Sequence, residues 1–312
     1  MQSSKRILIA VDGSPHSLNA VNYVARNCSR SIFVNLIHIM PKRPEQIFWQ
    51  INLDKEFIDR MKAKYERWER EQRDASLAFL ESMKAVLIGF GFHEDRLNTI
   101  LRERQVGTAT DIVAEAGKDY DALVIGRRGL NKMDSLFLGS VSNKAVELIE
   151  DIPVWLIGGD VRSQKTLVAV DGSENSAKAV NYLAEFVFNV SAEISLCHVI
   201  RGRESFGAPV FEFDQEMEFR LEESLKEGLA QMFVDYGECL IKAGISSQRI
   251  SAKCITRSFS RAGDLVREAH EGGYGTIVMG RRGISKVREF LMGRVTTKVL
   301  NGAEGLAVWI VP

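Results

Sequence analysis

Hydrophobic residues along this chain fall into short continuous runs, separated by longer stretches in which they recur at helical spacing. In the first half, the runs predict strands at residues 6–11, 32–39, 98–103, 122–125 and 154–157. Continuous rather than alternating apolar runs are typical of strands that are buried on both faces of a parallel sheet. Alternation of such strands with helices predicts an α/β fold with right-handed crossovers.

The segments between the strands carry helix signals. After the first strand, Ser14 can cap a helix whose first position is Pro15. One long helix is predicted between the second and third strands by apolar residues at helical spacing, namely Phe57, Met61, Tyr65, Trp68, Ala75, Phe79, Met83 and Val86. We expect this stripe to pack against the sheet, although an aromatic stripe can also form a partner surface. The second half repeats this helix with interruptions at Gly228 and Gly237.

The same order of patterns occurs twice along the chain. ILIAVDGSPHSLNAVNYVA at residues 7–25 matches TLVAVDGSENSAKAVNYLA at 166–184, and later segments match in the same order. Such self-similarity indicates a tandem duplication. We therefore predict two domains, residues 1–160 and 161–312, that meet in the polar stretch GGDVRSQK at 158–165.

Each domain is predicted to be doubly wound, with a five-stranded parallel sheet in the order 3-2-1-4-5. Its last strand, PVWLI in the first domain and AVWIV in the second, would lie at an edge of the sheet. Exposed edges invite pairing, so we expect the two domains to join through these strands as an internal pseudo-dimer. A further homodimer of the whole chain stays open.

Composition narrows the function classes. The 312 residues carry 41 Lys and Arg against 41 Asp and Glu, and this balance argues against a dedicated nucleic-acid binder. Four cysteines without a CxxC pair favour reduced thiols in a cytoplasmic protein over a disulfide framework or a zinc site. No apolar run reaches the roughly 18 residues that a membrane-spanning helix needs, so we expect no membrane partner.

Two glycine-rich stretches are predicted at the carboxyl edges of the sheets, GRRGLNKMDSLFLGSVS at residues 126–142 and GRRGISKVREFLMGRVT at 280–296. Ligands of a doubly wound sheet lie where the strand order reverses, so the first stretch and the turn that begins at Asp12 should face one crevice. Glycine lets backbone N–H groups approach an anion, and a following helix N-terminus favours negative charge. The residues alone leave two interpretations open, a phosphate-binding loop and a plain turn.

Gly126, Gly129, Gly139 and Ser140 form the pattern G-xx-G, nine residues, G-[ST]. This pattern resembles the nucleotide loop of the universal stress protein family. VDGS after the first strand, HIM at the end of the second and DALVIG before the loop also resemble that family, and the resemblance covers nearly the whole chain in both halves. It implies a tandem member of the family with an adenine-nucleotide site, whose ligand would be ATP with or without Mg²⁺.

The resemblance also implies roles for individual residues of the first half. Val11 and Asp12 would meet the adenosine, with Asp12 accepting hydrogen bonds from the ribose hydroxyls, and Ile39 would line the adenine slot. Arg128 is a further candidate for contact with phosphate. The phosphates would be wrapped by Gly126, Gly129, Gly139 and Ser140, followed by Val141 and Ser142. From the residues alone, Asp12 is equally a turn or helix-capping residue.

The second half departs from the pattern. Arg294 stands where the family has serine or threonine, and it could either pair with a phosphate or fill the pocket. The candidates in this half are Asp171, Val199, Gly280, Gly283, Gly293, Arg294 and Thr296. We expect nucleotide binding in the first domain more than in the second, and we expect the side chains of Arg127 and Arg281 to face solvent.

These features favour an ATP-binding stress-response protein that acts as a nucleotide-dependent switch or binding module. The alternative is an interaction scaffold of the same family that binds no nucleotide. A slow ATPase is less favoured because the sequence offers no nucleophile–base pair and no cluster of metal ligands, so we name no catalytic or metal-binding residue. His38 and His198 are interpreted as core histidines at strand ends.

Overall fold

The structure, a computed structural model, describes residues 5–41, 55–127, 139–186, 192–201, 215–258, 260–283 and 292–312. The first half contains β1 (Arg6–Ala10), α1 (Pro15–Asn27), β2 (Phe33–Met40), α2 (Lys55–Gly89), β3 (Leu97–Glu103), α3 (Thr108–Ala116), β4 (Ala122–Gly126), α4 (Ser140–Leu148) and β5 (Val154–Ile157). The second half contains β6 (Thr166–Ala169), α5 (Glu174–Phe186), β7 (Ile194–Arg201), α6 (Gln215–Lys242), β8 (Ile250–Ser258), α7 (Arg261–Glu271), β9 (Thr276–Gly280), α8 (Arg294–Gly302) and β10 (Ala307–Val311).

The strands form one ten-stranded sheet in the order β3-β2-β1-β4-β5-β10-β9-β6-β7-β8. Within each half, every neighbouring pair of strands is parallel. The predicted order 3-2-1-4-5 is therefore confirmed in the first half, and the second half repeats it in mirror sequence along the sheet. The strand order reverses beside β1 and β6, which places a crevice at the carboxyl edge of each half.

The two halves join through β5 and β10, which pair antiparallel. Trp155 lies directly opposite Trp309 in this register, and their rings stack with centroids 3.9 Å apart and planes 1° apart. Tyr182 and Phe186 of α5 pack around the stacked rings. The predicted internal pseudo-dimer is therefore confirmed, and its centre is aromatic.

Helices cover both faces of the sheet. Tyr23, Leu80, Phe186 and Leu240 bring α1, α2, α5 and α6 into the core on one face. The core on the other face contains residues of α3, α4, α7 and α8, among them Ile112, Val146, Leu265 and Leu300. Because the sheet is covered on both sides, its strands are buried on both sides, which accounts for their continuous apolar sequences.

The predicted cap of α1 and the predicted long helix of the second half, α6, are both present, but the interruptions expected within α6 are not. Ser14 caps α1 by accepting a hydrogen bond of 3.2 Å from the amide of Ser17, and Pro15 follows as the first helical residue. The expected interruptions at Gly228 and Gly237 are wrong, since α6 runs unbroken through both. A single glycine costs a helix interior only about 1 kcal/mol, which packing of the helix on the sheet can offset.

Helix α2 packs on the sheet along only part of its length. From Ser76 onward it contributes fully buried side chains such as Leu80 and Leu87, but no residue of 56–75 is buried. The expectation that the whole stripe packs on the sheet is therefore wrong for the first part of the helix. The reason is length, since a helix of 35 residues spans about 52 Å, whereas a strand of eight residues such as β2 spans about 27 Å.

Candidate functional site

The turn after the first strand of each half is fixed by an aspartate. The Oδ1 atom of Asp12 accepts a hydrogen bond of 3.0 Å from the amide of Ser14, and Asp171 makes the same bond to the amide of Ser173 at 3.0 Å. The turn role considered for Asp12 is thus present. Its second carboxylate oxygen has no hydrogen-bond partner within the described part of the chain and stays able to accept from a ligand.

A histidine at the end of the second strand supports this turn in each half. The Nδ1 atom of His38 lies 2.8 Å from the carbonyl oxygen of Val11, and that of His198 lies 2.7 Å from the oxygen of Val170. A carbonyl oxygen only accepts, so Nδ1 carries the proton and donates it in both halves. The interpretation of both residues as strand-end histidines with a structural role agrees with these bonds.

The pKa of His198 is shifted. Burial is the main cause, and it lowers the pKa of His198 below the ordinary value of 6.5. The positive charge of Arg261 lowers the pKa further. His198 therefore favours its neutral form more than an exposed histidine does, which keeps the hydrogen bond to Val170 from carrying a buried charge.

The adenine-slot candidates of both halves are nearly buried apolar residues. Ile39 is 9% exposed and Val199 is 5% exposed, and both belong to the core on the face that α3 and α7 cover. Each follows the strand-end histidine directly. Their side chains supply an apolar wall close to the turns at Asp12 and Asp171, which suits a flat apolar ring system.

The last residue of β4 and of β9 is glycine for a packing reason. A Cβ atom on Gly126 would lie 2.6 Å from the main-chain oxygen of His16, and one on Gly280 would lie 2.8 Å from that of Asn175. The first turns of α1 and α5 therefore approach these strands too closely for any side chain. This contact also fixes the first turn of each helix beside the start of the glycine-rich stretch.

The ends of each glycine-rich stretch are tied together. The amide of Gly139 donates to the oxygen of Arg127 at 2.9 Å, and the amide of Gly293 donates to the oxygen of Arg281 at 3.0 Å. The buried hydroxyl of Ser142 donates to Gly126 at 2.8 Å. This hydrogen bond holds the hydroxyl at the base of the loop, so Ser142 can offer a ligand only its amide.

Thr296 plays the same part in the second half. It is 2% exposed, and its hydroxyl lies 3.2 Å from the main-chain oxygens of both Gly280 and Arg281. The two halves thus close their loops in the same way, with a hydroxyl at the third helical position. Because this geometry is repeated, Ser140 and Arg294 occupy equivalent positions, as the first residues of α4 and α8.

The helices that follow the loops begin without a side-chain cap. Gly139 and Gly293 are the N-caps of α4 and α8, and neither has a side chain to accept from the first turn. Ser140 is exposed and Val141 is half-buried at the start of α4. Amides in the first turn of a helix lack intrahelical partners and attract anions, so this end of α4 suits a phosphate group.

The expectation for Arg127 and Arg281 is wrong, since each is only 4% exposed. The guanidinium of Arg281 crosses to the first half and donates to the oxygens of Ile149 and, at 2.8 Å, Val146 at the end of α4. Arg127 donates to the oxygen of Asn301 near the end of α8 at 2.7 Å. The last carbonyls of a helix lack intrahelical partners and favour positive charge, which explains the burial of both arginines.

In the second half the candidates surround one cavity of about 410 Å³. Its lining includes all seven residues named from the sequence, Asp171, Val199, Gly280, Gly283, Gly293, Arg294 and Thr296. A Cβ atom on Gly283 would lie 2.5 Å from the Oδ2 atom of Asp171, so the loop folds directly onto the turn after β6. In the first half, Arg128 and Gly129 lie outside the described residues.

Sequence reasoning missed Arg261, which lines the same cavity. With Arg282 and Arg294 it gives the lining three guanidinium groups, against the carboxylate of Asp171. The signal for Arg261 was present, because Ser260 caps α7 directly after β8. The first residue of such a helix lies at the carboxyl edge of a parallel sheet, where the other candidates lie. A cavity with this charge suits an anionic ligand.

Within the described residues, no group of three or more His, Cys, Asp or Glu side chains could hold a metal ion. None of the four cysteines forms a disulfide, and burial raises the pKa of Cys28 and of Cys197 to about 12. These two thiols are therefore protonated and weakly reactive at neutral pH.

No helix in the described part of the chain has both the length and the apolar character required to cross a lipid bilayer.

Comparison with known proteins gives matches to both halves. The profile of the universal stress protein family matches residues 3–157 and 163–312. Universal stress protein YxiE of Bacillus subtilis is 33% identical over 141 residues, which are 43% of this chain and 90% of that protein. A crystal structure of a universal stress protein from Archaeoglobus fulgidus is similar with a TM-score of 0.56 and 18% identity, over 99% of this chain and 98% of its own. The functionally unknown protein PA1789 of Pseudomonas aeruginosa gives a TM-score of 0.55 at 14% identity, over 99% of this chain and 93% of its own.

Proposed function

This chain belongs to the universal stress protein family, in tandem form, and from that premise we propose that its first half binds ATP. Nucleotide occupancy would act as a switch for binding other molecules in the cytoplasm. The resemblance of the loop sequence supports an adenine nucleotide. The start of α4 supports the phosphates, because Gly139 leaves its first turn uncapped at the carboxyl edge where the strand order reverses. That uncapped turn is the observation on which the proposal depends most.

Four candidate residues of the first half then have roles in binding the nucleotide. The amides of Ser140 and Val141, with the exposed hydroxyl of Ser140, donate to phosphate oxygens. The second oxygen of Asp12 accepts from the ribose hydroxyls. Ile39 supplies an apolar wall for the adenine. Mg²⁺ would arrive with the phosphates, since Mg²⁺ commonly keeps several waters and binds through substrate oxygens.

In the second half we propose weaker binding of the same ligand. The cavity there retains the aspartate, the apolar wall and the glycine-capped helix. Arg294 replaces Ser140 at the first helical position and lines the cavity while staying exposed. Its guanidinium can donate to a phosphate oxygen as a charge-assisted hydrogen bond, at the cost of ordering a long side chain.

Calorimetric titration of ATP into the nucleotide-free protein tests the proposal for the first half. Ser140→Glu introduces a carboxylate where the phosphates would lie, whereas acidic residues in the first turn stabilise a helix, so this variant should fold. Ser140→Gln is the matched neutral control. We expect Ser140→Glu to lose the tighter of two binding events, and Ser140→Gln to retain it. Equal ATP binding by wild type and Ser140→Glu would contradict the proposal.

The alternatives are separated by two further measurements. Release of nucleotide on denaturing the freshly purified protein, identified by chromatography, supports a nucleotide site, and absence of both release and affinity would leave the scaffold function. A steady-state assay of phosphate release separates binding from slow hydrolysis. We propose that ATP is bound without significant hydrolysis, because the sequence offers no candidate for a general base beside the loop.

A further inference from the structure

The two halves differ in charge at the start of two helices. Helices α3 and α4 of the first half, and α7 and α8 of the second, cover the same face of the sheet and begin at its carboxyl edge. The first residues of α3 and α4 are Thr108 and Ser140, whereas those of α7 and α8 are Arg261 and Arg294. The second half therefore has a guanidinium group at both places where the first half has a hydroxyl.

The residues that follow show that Thr108 and Arg261 occupy equivalent positions. TATDIVAEA at 108–116 matches RAGDLVREA at 261–269, with identical residues at the second, fourth, sixth, eighth and ninth places. Ile112 and Leu265 stand at the fifth place, and both are buried in the core on this face. The two helices are thus built alike, and the change from hydroxyl to guanidinium at the first place adds a positive charge.

Both arginines line the cavity of about 410 Å³ in the second half. Their helices pack side by side, and the axes of packed helices lie about 8–10 Å apart. Two cations at the positive ends of neighbouring helix dipoles repel one another, and a ligand with two anionic groups offsets this repulsion. An arginine carries five N–H donors, so it can hold a partner within the protein and still donate to a phosphate.

The two arginines lie near different parts of a bound nucleotide. Arg294 begins α8, where the uncapped first turn suits the 5′ phosphates. Arg261 is half-buried and lies close enough to His198 for its charge to lower the pKa of that histidine, whereas the carboxylate of Asp171 raises the same pKa. Arg261 and Asp171 therefore act on one imidazole. Because Asp171 corresponds to the aspartate proposed to bind the ribose, Arg261 lies beside the ribose as well.

We propose that the second half prefers a nucleotide that carries a phosphate on its ribose, at the 2′ or 3′ oxygen, in addition to its 5′ phosphate. Arg294 and the start of α8 donate to the 5′ phosphate, and Arg261 donates to the ribose phosphate. Asp171 accepts from the remaining ribose hydroxyl. The preference rests on the nucleotide-binding function proposed above, and it accounts for the weaker binding of ATP proposed for this half, since the ribose of ATP carries no phosphate of its own.

Calorimetric titration of the 312-residue chain carrying Ser140→Glu, which silences the first half, tests this preference. Adenosine 3′,5′-bisphosphate, adenosine 2′,5′-bisphosphate and ADP are compared, because they differ only in where the second phosphate is attached. We expect one or both bisphosphates to bind at least about tenfold more tightly than ADP, since only they reach Arg261 with a phosphate. The tighter isomer identifies the ribose oxygen. Equal or weaker binding of both bisphosphates would overturn the proposal, as would absence of binding by all three ligands.

A substitution at Arg261 then assigns the preference to this residue. Arg261→Thr, made in the Ser140→Glu chain, introduces the residue of the first half, so the affinity for the bisphosphate should fall about tenfold while that for ADP is unchanged. Lys298→Thr removes the same charge outside the cavity lining and should retain the preference. A preference that survives Arg261→Thr would contradict the role of the arginine.

The outcome is separable from that of the nucleotide proposal for the first half. ATP binding by the first half is measured as the event that wild type shows and Ser140→Glu loses. If that event is present but the second half does not distinguish the bisphosphates from ADP, only the ribose-phosphate preference is refuted. If the second half shows the preference but that event is missing, only ATP binding by the first half is refuted.

Discussion

The guanidinium of Arg281 donates a hydrogen bond of 2.8 Å to the main-chain oxygen of Val146, although the two residues belong to different halves of the chain. The main chain of Arg281 meanwhile closes the loop of its own half, by accepting from the amide of Gly293 at 3.0 Å. One residue therefore joins the loop of the second half to the end of α4, whose other end carries the phosphate candidates of the first half. The contact between the two halves, called the seam below, is thus polar as well as aromatic.

Arg281→Met should lower the free energy of unfolding by about 2–4 kcal/mol, because buried carbonyls at the end of α4 lose a charged donor. Equilibrium denaturation in urea, followed by circular dichroism, measures this change. Arg282→Met is the control, since Arg282 is exposed and its side chain should contribute less than about 0.5 kcal/mol. Equal stability of the two variants would show that the arginine at the seam is dispensable.

Trp155→Ala should be among the most destabilising substitutions in the protein. The side chain is fully buried. It contacts Tyr23 of its own half, and it contacts Phe186 and Trp309 of the other half. Its removal leaves a cavity, for which we expect a loss of about 3–5 kcal/mol in urea denaturation. Leu77→Ala on α2, where the leucine is 41% exposed, should change stability by less than about 0.5 kcal/mol. A small effect of Trp155→Ala would mean that the seam can be repacked.

Gly126→Ala and Gly228→Ala should act in opposite directions. The first places a Cβ atom 2.6 Å from the oxygen of His16, so α1 must shift, at a cost of about 1–3 kcal/mol. Because α1 follows the turn at Asp12, ATP affinity should also fall. The second fills open space on an exposed helix and should stabilise the protein by about 0.5–1 kcal/mol. Thermal unfolding and ATP titration of both variants check the pair, and a neutral Gly126→Ala would contradict the packing argument.

The main features of the fold were predictable because they depend on local patterns. Buried parallel strands need continuous apolar runs, and the duplication repeats these runs in the second half. The strand order and the pairing of β5 with β10 could therefore be predicted from the sequence. The partners of Arg127 and Arg281 did not, because each lies in the other half, more than 130 positions away. Periodicity also predicted α2 as one helix, but it carries no information about where the sheet beneath the helix ends.

Part of the candidate site could likewise be named from the sequence, and part could not. The candidates of the second half were named from the family resemblance, and the structure places them around one cavity. Arg261 was missed because it belongs to no nucleotide-loop motif, although the cap residue Ser260 marks the start of the helix that brings it to the cavity. The hydrogen bond of 2.8 Å from the hydroxyl of Ser142 to the oxygen of Gly126 could not be predicted, because motif spacing carries no information about this contact.

Stability should fall in mild acid, partly because of His198. Burial lowers the pKa of His198 below 6.5 in the folded protein, so the unfolded chain takes up a proton first as pH decreases. The contribution is present above about pH 6.5 and is lost as pH falls through the folded pKa. His198→Asn should make the melting temperature depend less steeply on pH between about 7.5 and 5.5. His93→Asn at an exposed position is the control and should keep the wild-type slope.

Arg294→Ser tests which of the two possible roles the arginine has in the second half. Arg294 lines a cavity of about 410 Å³ without filling it and is exposed, so we expect it to donate to phosphate. In a Ser140→Glu background, which silences the first half, Arg294→Ser should weaken ATP binding about tenfold, or about 1.4 kcal/mol, and reduce its sensitivity to salt. Lys298→Ser removes the same charge from the next turn of α8 without touching the cavity and should change little. Tighter binding by Arg294→Ser would show instead that the arginine occupies the space that the phosphates need.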